Sequence, residues 1–132
     1  MISLEMAKKL KEAGLEWEPK TGDWFYRKDG VIGIVIDVSG GDWWAVFPPD
    51  GKEVAFCIEE ADGFIFDPRL DQLLAKIREL GYKWFAETDT ERYFIRVVEI
   101  KKPNNFHGIF SDSPANAAAE ALLWIYEGRA KA

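Results

Sequence analysis

Leu70-Asp71-Gln72-Leu73-Leu74-Ala75-Lys76-Ile77-Arg78-Glu79-Leu80-Gly81-Tyr82-Lys83-Trp84-Phe85 decides the fold. Leu70, Leu73, Leu74, Ile77 and Leu80 recur at helical spacing and make one apolar stripe. Gly81 stops the helix, because a left-handed residue ends a helix cheaply. Tyr82 to Glu87 then reads as a strand. Upstream, Met6, Lys9, Leu10, Glu12, Gly14 and Trp17 repeat the pattern of Leu73, Lys76, Ile77, Glu79, Gly81 and Trp84. Capping and amphipathicity alone produce most of that match. Two copies also fall short of the three or more a solenoid needs. The chain therefore divides into two pseudo-repeat halves, 1–66 and 67–132, within one domain.

The first half continues as a meander. Ser3 can cap the first helix, Gly14 ends it and Pro19 blocks its continuation. Asp23 to Arg27 reads as a strand, and Asp29-Gly30 is a hairpin signal. Val31 to Val38 is nearly all apolar and β-branched, which predicts a central strand covered on both faces. Asp42 to Phe47 and Glu53 to Cys57 follow, separated by the turn Pro48-Pro49-Asp50-Gly51. In the second half, Asp67-Pro68 reads as a helix start. Strands follow at Tyr82 to Glu87, Arg92 to Ile100 and Phe106 to Phe110, the first two joined by Thr88-Asp89-Thr90. Asp112-Ser113-Pro114 opens an alanine-rich helix that can approach a sheet closely, with Gly128 as its stop and 129–132 fraying. The expected class is α+β: αββββ and αβββα halves, with three helices on antiparallel sheet.

Composition excludes whole classes of function. The chain has 132 residues, enough to bury roughly two thirds of its unfolded surface. Its 48% apolar content excludes disorder. Net charge is −6, and Asp50 to Asp71 alone carries seven acids against Lys52 and Arg69. Counterion release on nucleic acid needs the opposite sign, so no nucleic acid is expected. A lone cysteine excludes an internal disulfide. Cys57 lies in an apolar run and reads as a buried, inert thiol. No apolar stretch is long enough to span a membrane, and the start lacks the order of a signal peptide. A cytoplasmic protein is expected.

Little catalytic chemistry survives. Phosphate loops of the Gly-x-x-x-x-Gly-Lys-Ser/Thr and Gly-x-Gly-x-x-Gly types are absent, as is a Gly-x-Ser-x-Gly elbow. With only His107 and Cys57 to offer, an ordinary zinc site is excluded. No cofactor or metal is implied. His107 alternates with apolar residues and reads as a strand histidine on the solvent face or bonded at a sheet edge. Glu59-Glu60-x-Asp62 is the densest acidic group. It could hold a hard cation or do acid–base work in a small hydrolase, but it lacks the ligand spacing of a calcium loop and also reads as a solvated turn. Trp43-Trp44 places two tryptophans on opposite faces of one strand. Both could be packed, or one could form a contact surface. Trp124 carries the same ambiguity.

Several stretches resemble small uncharacterised proteins of gram-positive bacteria and their prophages. These are Ser3 to Gly14, Gly22-Asp23-Trp24-Phe25, Leu70 to Ala75, and Asp112-Ser113-Pro114 through Leu122-Leu123-Trp124-Ile125. Residues 67–127 are similar to the phage ABA-sandwich domain. The resemblance implies no activity and no catalytic residues. The expected function is that of a non-enzymatic accessory protein of phage or prophage origin that binds an unknown protein partner. Trp43, Trp44, Glu59, Glu60 and Asp62 are the candidate binding residues. A homo-oligomer is a further expectation, because an open sheet edge or exposed tryptophan can pair. An acidic mimic of nucleic acid is a third reading.

Overall fold

The computed structural model describes residues 2–48, 50–88 and 91–130. Pro49 of the expected proline turn, Asp89 and Thr90 of the first hairpin connection, and the final residues 131 and 132 lie outside them. The fold is α+β, as expected, with two antiparallel sheets. Packing divides the chain into two bodies. An inserted body spans Leu15–Pro68, and a split body joins Met1–Gly14 to Arg69–Ala132. The sequence halves are therefore not the packing bodies, because the first helix belongs with the second half.

The split body contains α1 (Leu4–Ala13), α2 (Leu70–Glu79), β6 (Tyr82–Thr88), β7 (Tyr93–Glu99), β8 (Phe106–Ser111) and α3 (Pro114–Ala130). Ser3 caps α1 by accepting from the Met6 N–H at 3.1 Å, and Gly14 closes it at φ 121°. Helix α2 begins at Leu70 rather than at Pro68, and Gln72 accepts from the Arg69 N–H at 2.8 Å. Asp67 is unavailable as a cap because it lies in a strand of the inserted body. Ser113 accepts from the Asn116 N–H at the start of α3. This helix runs past Gly128 to Ala130, so that glycine is not a stop. Helix α3 packs against α1, α2, β7 and β8. Ala115, Ala117, Ala118, Ala119, Ala121, Leu122 and Ile125 are all buried. A helix contacted on most sides needs apolar residues around most of its circumference.

The inserted body contains β1 (Trp24–Tyr26), β2 (Ile32–Ser39), β3 (Asp42–Val46), β4 (Glu53–Cys57), a 3-10 helix (Ile58–Gly63) and β5 (Ile65–Asp67). The sheet order is β4-β3-β2-β1-β5, all antiparallel. β2 is central as expected, but only Gly33 and Val35 are buried, while Ile32, Ile34 and Ile36 are half-covered. The core is aromatic. Phe25 and Trp43 are fully buried and meet edge-on at 5.3 Å, with Trp17, Phe47, Phe56 and Phe64 around them. Trp43 stacks on Phe56 at 4.6 Å and donates its Nε1–H to the Cys57 carbonyl at 3.0 Å. Buried Asp23 accepts from Trp17 Nε1–H and the Lys20 N–H, both at 3.0 Å, which fixes the Trp17 ring.

Two glycines pass beneath aromatic rings. Phe25 lies across Gly33, its register partner, and a Cβ there would meet the ring at 2.3 Å. A Cβ on Gly108 would meet Phe94 at 2.8 Å. The Phe25 ring is locked on all sides, whereas Phe94 is half-exposed and free to swing. Gly33→Ala is expected to cost about 2–3 kcal/mol as overpacking, and Gly108→Ala about 1 kcal/mol or less. Chemical denaturation of both variants checks this. Equal losses would show that the two rings are equally constrained.

Candidate functional site

In a strand, successive side chains point to opposite faces, so the register assigns each face of the split body's sheet. One face carries Tyr82, Trp84, Ile95, Val97, His107 and Ile109. Ile95, Val97 and Ile109 are buried there. His107 lies on this face rather than on the solvent side, stacked flat on Trp124 at 4.8 Å. Trp124 is half-buried, held between His107 and the edge of Tyr82.

The opposite face is a grid of three rows. Lys83, Val98 and Phe106 form one, Phe85, Arg96 and Gly108 the next, and Glu87, Phe94 and Phe110 the third. Phe85, Phe106 and Phe110 are 48%, 59% and 56% exposed. Phe94 tilts against Phe110 at 4.8 Å between ring centres. Together with Glu87 and Thr88 these two rings line a shallow cleft of about 420 Å³. Arg96 sits over Phe85 at 5.3 Å and Arg92 over Phe110 at 4.7 Å, both within cation–π range. Scattered apolar side chains are ordinary on a surface. Here three exposed rings stand around Arg96 on one sheet face, which makes that face the candidate contact surface. The sequence holds its signal in the alternation Lys83-Trp84-Phe85 and Phe106-His107-Gly108-Ile109-Phe110, where both faces of the strand are apolar.

The residues singled out from the sequence separate. Trp43 belongs to the core. Trp44, 38% exposed, lies on the other face of β3. Its register neighbours are Asp37 and Ala55, with Asp42 and Glu53 on the same face. Glu60 reaches this face through Cys57, which stands opposite Asp42. Glu59 and Asp62 are exposed on the 3-10 helix. Among the described residues no group of three His, Cys, Asp or Glu side chains is placed to hold a metal ion. No helix among them is long and apolar enough to cross a membrane.

A second cleft of about 420 Å³ in the split body is lined by Tyr82, Glu99, Asn105, Trp124 and Arg129, among others. Asn105 donates to the Tyr82 hydroxyl at 3.0 Å and to Glu99 at 2.9 Å. Burial, and then the Glu99 carboxylate, pushes the Tyr82 phenol above its ordinary range. These bonds fasten the turn between β7 and β8.

Cys57 is half-exposed rather than buried. Its thiol donates to Glu60 Oε1 at 3.1 Å, and that carboxylate is the first cause pushing the thiol above its usual range. Only thiolate attacks disulfide reagents, so Cys57 is expected to react slowly at neutral pH despite its exposure. Glu60→Ala removes the hydrogen bond that is the main upward cause and is expected to speed the reaction several-fold. A thiol-titration time course near pH 8 checks this, and an unchanged rate would assign the protection to burial and Glu59.

Comparison with protein-family models, with curated proteins and with solved structures finds no match to this chain.

Proposed function

We propose that the chain is a non-enzymatic accessory protein that binds another protein, with the outer face of β6, β7 and β8 as its contact surface. The supporting observation is the three largely exposed phenylalanines on that face, with Arg96 between them and Lys83, Arg92 and Glu87 beside them. Fully covering an exposed phenylalanine side chain is worth roughly 1.5–3 kcal/mol, and these three, already about half covered, keep about half of that each for a partner. Aromatic residues and arginine are also the types that dominate interface energetics. The guanidinium groups stacked on Phe85 and Phe110 keep those rings oriented and bring charge to the rim. A phage or prophage setting is part of the proposal and rests on the sequence resemblance of residues 67–127 alone. A carboxylate-based hydrolase has no such support, because Glu59, Glu60 and Asp62 all stand in solvent.

A photo-crosslinking residue in place of Phe106 or Phe110 tests the reading, with Glu120 on the exposed side of α3 as control. Adducts with the same protein are expected from both phenylalanine positions and not from 120. Surface changes of this kind cost within about 0.5 kcal/mol, so the variants remain folded and a melting curve verifies it. Labelling that is absent from 106 and 110, or no stronger there than at 120, would remove this face as the contact surface.

A further inference from the structure

We propose that the occupant of the phenylalanine face is the inserted body of a second copy of this chain, docked head to tail. This rests on reading that face as a contact surface. Its first support is the distribution of charge. Residues 15–68 hold 12 acids and 4 bases, a net −8, while residues 1–14 and 69–132 hold 11 acids and 13 bases, a net +2. The acidity of the chain thus resides wholly in the inserted body.

The second support is local. The exposed face of β3 presents Trp44 among Asp37, Asp42 and Glu53, with no base in its register neighbourhood. The grid on β6, β7 and β8 presents phenylalanines among Lys83, Arg92 and Arg96, with Glu87 the one acid in its three rows. Each surface carries exposed aromatic side chains beside charges of one dominant sign, three bases to one acid on the phenylalanine face and acids alone around Trp44, and the signs are opposite. Pairing either surface with its own copy would oppose like charges. Pairing one with the other satisfies both rims. Such a contact is heterologous, so each chain keeps one free surface of each kind and association continues beyond two chains unless the rotation closes a ring.

Size sets the strength. Three strands about 4.8 Å apart and seven residues long project roughly 340 Å², below the roughly 800 Å² per partner of a stable complex. The association is therefore weak, with dissociation constants on the order of 10–1,000 μM, and strongly dependent on ionic strength.

Sedimentation of the full chain between about 10 μM and 1 mM tests it. The mean mass is expected to rise continuously from 15.1 kDa without a plateau at two chains. Raising salt from about 50 to 500 mM is expected to weaken association about tenfold. Two double variants supply the decisive comparison. Phe106→Glu/Phe110→Glu retains only the acidic surface, and Trp44→Lys/Asp42→Lys retains only the phenylalanine surface. Each alone is expected to stay monomeric, and their mixture to form a complex that stops at two chains. If Trp44→Lys disturbs folding, Asp37→Asn/Asp42→Asn is expected to lower the salt sensitivity at unchanged stability. The proposal fails if the wild type is monomeric to 1 mM, if association survives in the Trp44→Lys/Asp42→Lys protein, or if the mixture does not combine. Crosslinks from positions 106 and 110 to a foreign protein, without self-association, would leave the contact surface standing and remove the second copy as its occupant.

Discussion

Helices α3 and α2 cover one side of a three-stranded sheet, and among the described residues of the split body no second helix layer lies on the other side. The five buried alanines of α3 are what permit this arrangement. Small side chains let β7 and β8 come close on one flank while α1 and α2 pack on others. Among the fully buried positions of α3, bulk comes from Leu122 and Ile125, while Trp124 lies half-buried against His107 and Tyr82. The sheet face beneath the helix then follows the usual burial rule. The face turned away carries side chains of the same apolar type but has no covering element. A single sheet with one helical layer leaves such a face to water or to another molecule. Phe85, Phe106 and Phe110 are therefore informative because they gather on a sheet face where apolar side chains have no internal use.

The inserted body solves the core problem differently. It has no α-helix, and its interior is assembled from rings. Phe25, Trp43 and Phe64 meet edge-on at 5.1–5.4 Å, and Trp17 stacks nearly parallel to Phe66 at 5.6 Å. Large rings give a body of only 54 residues more buried area per side chain than aliphatic residues would. They also bring indole N–H groups that must be satisfied, which explains why Asp23 is buried and why the Cys57 carbonyl faces inward. With the rings inside, the charges are left on the outside, and the strongly negative surface follows from the same division.

Much of this was legible in the sequence where periodicity was long. The stripe Leu70 to Leu80 and the β-branched run at 31–38 specify their elements, and Gly14 and Gly81 mark real boundaries. Short elements were not legible. Ile65–Asp67 has three residues, too few for alternation to register, and the Glu-Glu-Ala-Asp-Gly stretch before it carries loop composition while forming a 3-10 helix. Local rules misplaced the start of α2 because Asp67 satisfies a strand pairing with Trp24 instead of a helix end. The tryptophan pair was read correctly as opposite-facing, but which one faces the core depends on β2 and β4, which no local pattern states. The phenylalanine face was missed for the same reason. β6 and β8 are apolar on both sides, and only the positions of α2 and α3 decide which side is covered.

The split connectivity of the chain has a consequence for synthesis. All strand pairings of residues 15–68 close within that segment, so it can mature as soon as it emerges. Helix α1 cannot. Its buried positions Ala7 and Leu10 pack in a body whose α3 begins at Pro114, about a hundred residues later. At translation rates of roughly 5–20 residues per second, that apolar stripe waits on the order of 5–20 s for its cover. During this interval an already folded acidic neighbour is tethered to it, and acidic charge is the cheapest solubiliser a nascent chain can carry. The order of segments along the gene thus places the most soluble part of the protein beside the part that stays unfinished longest.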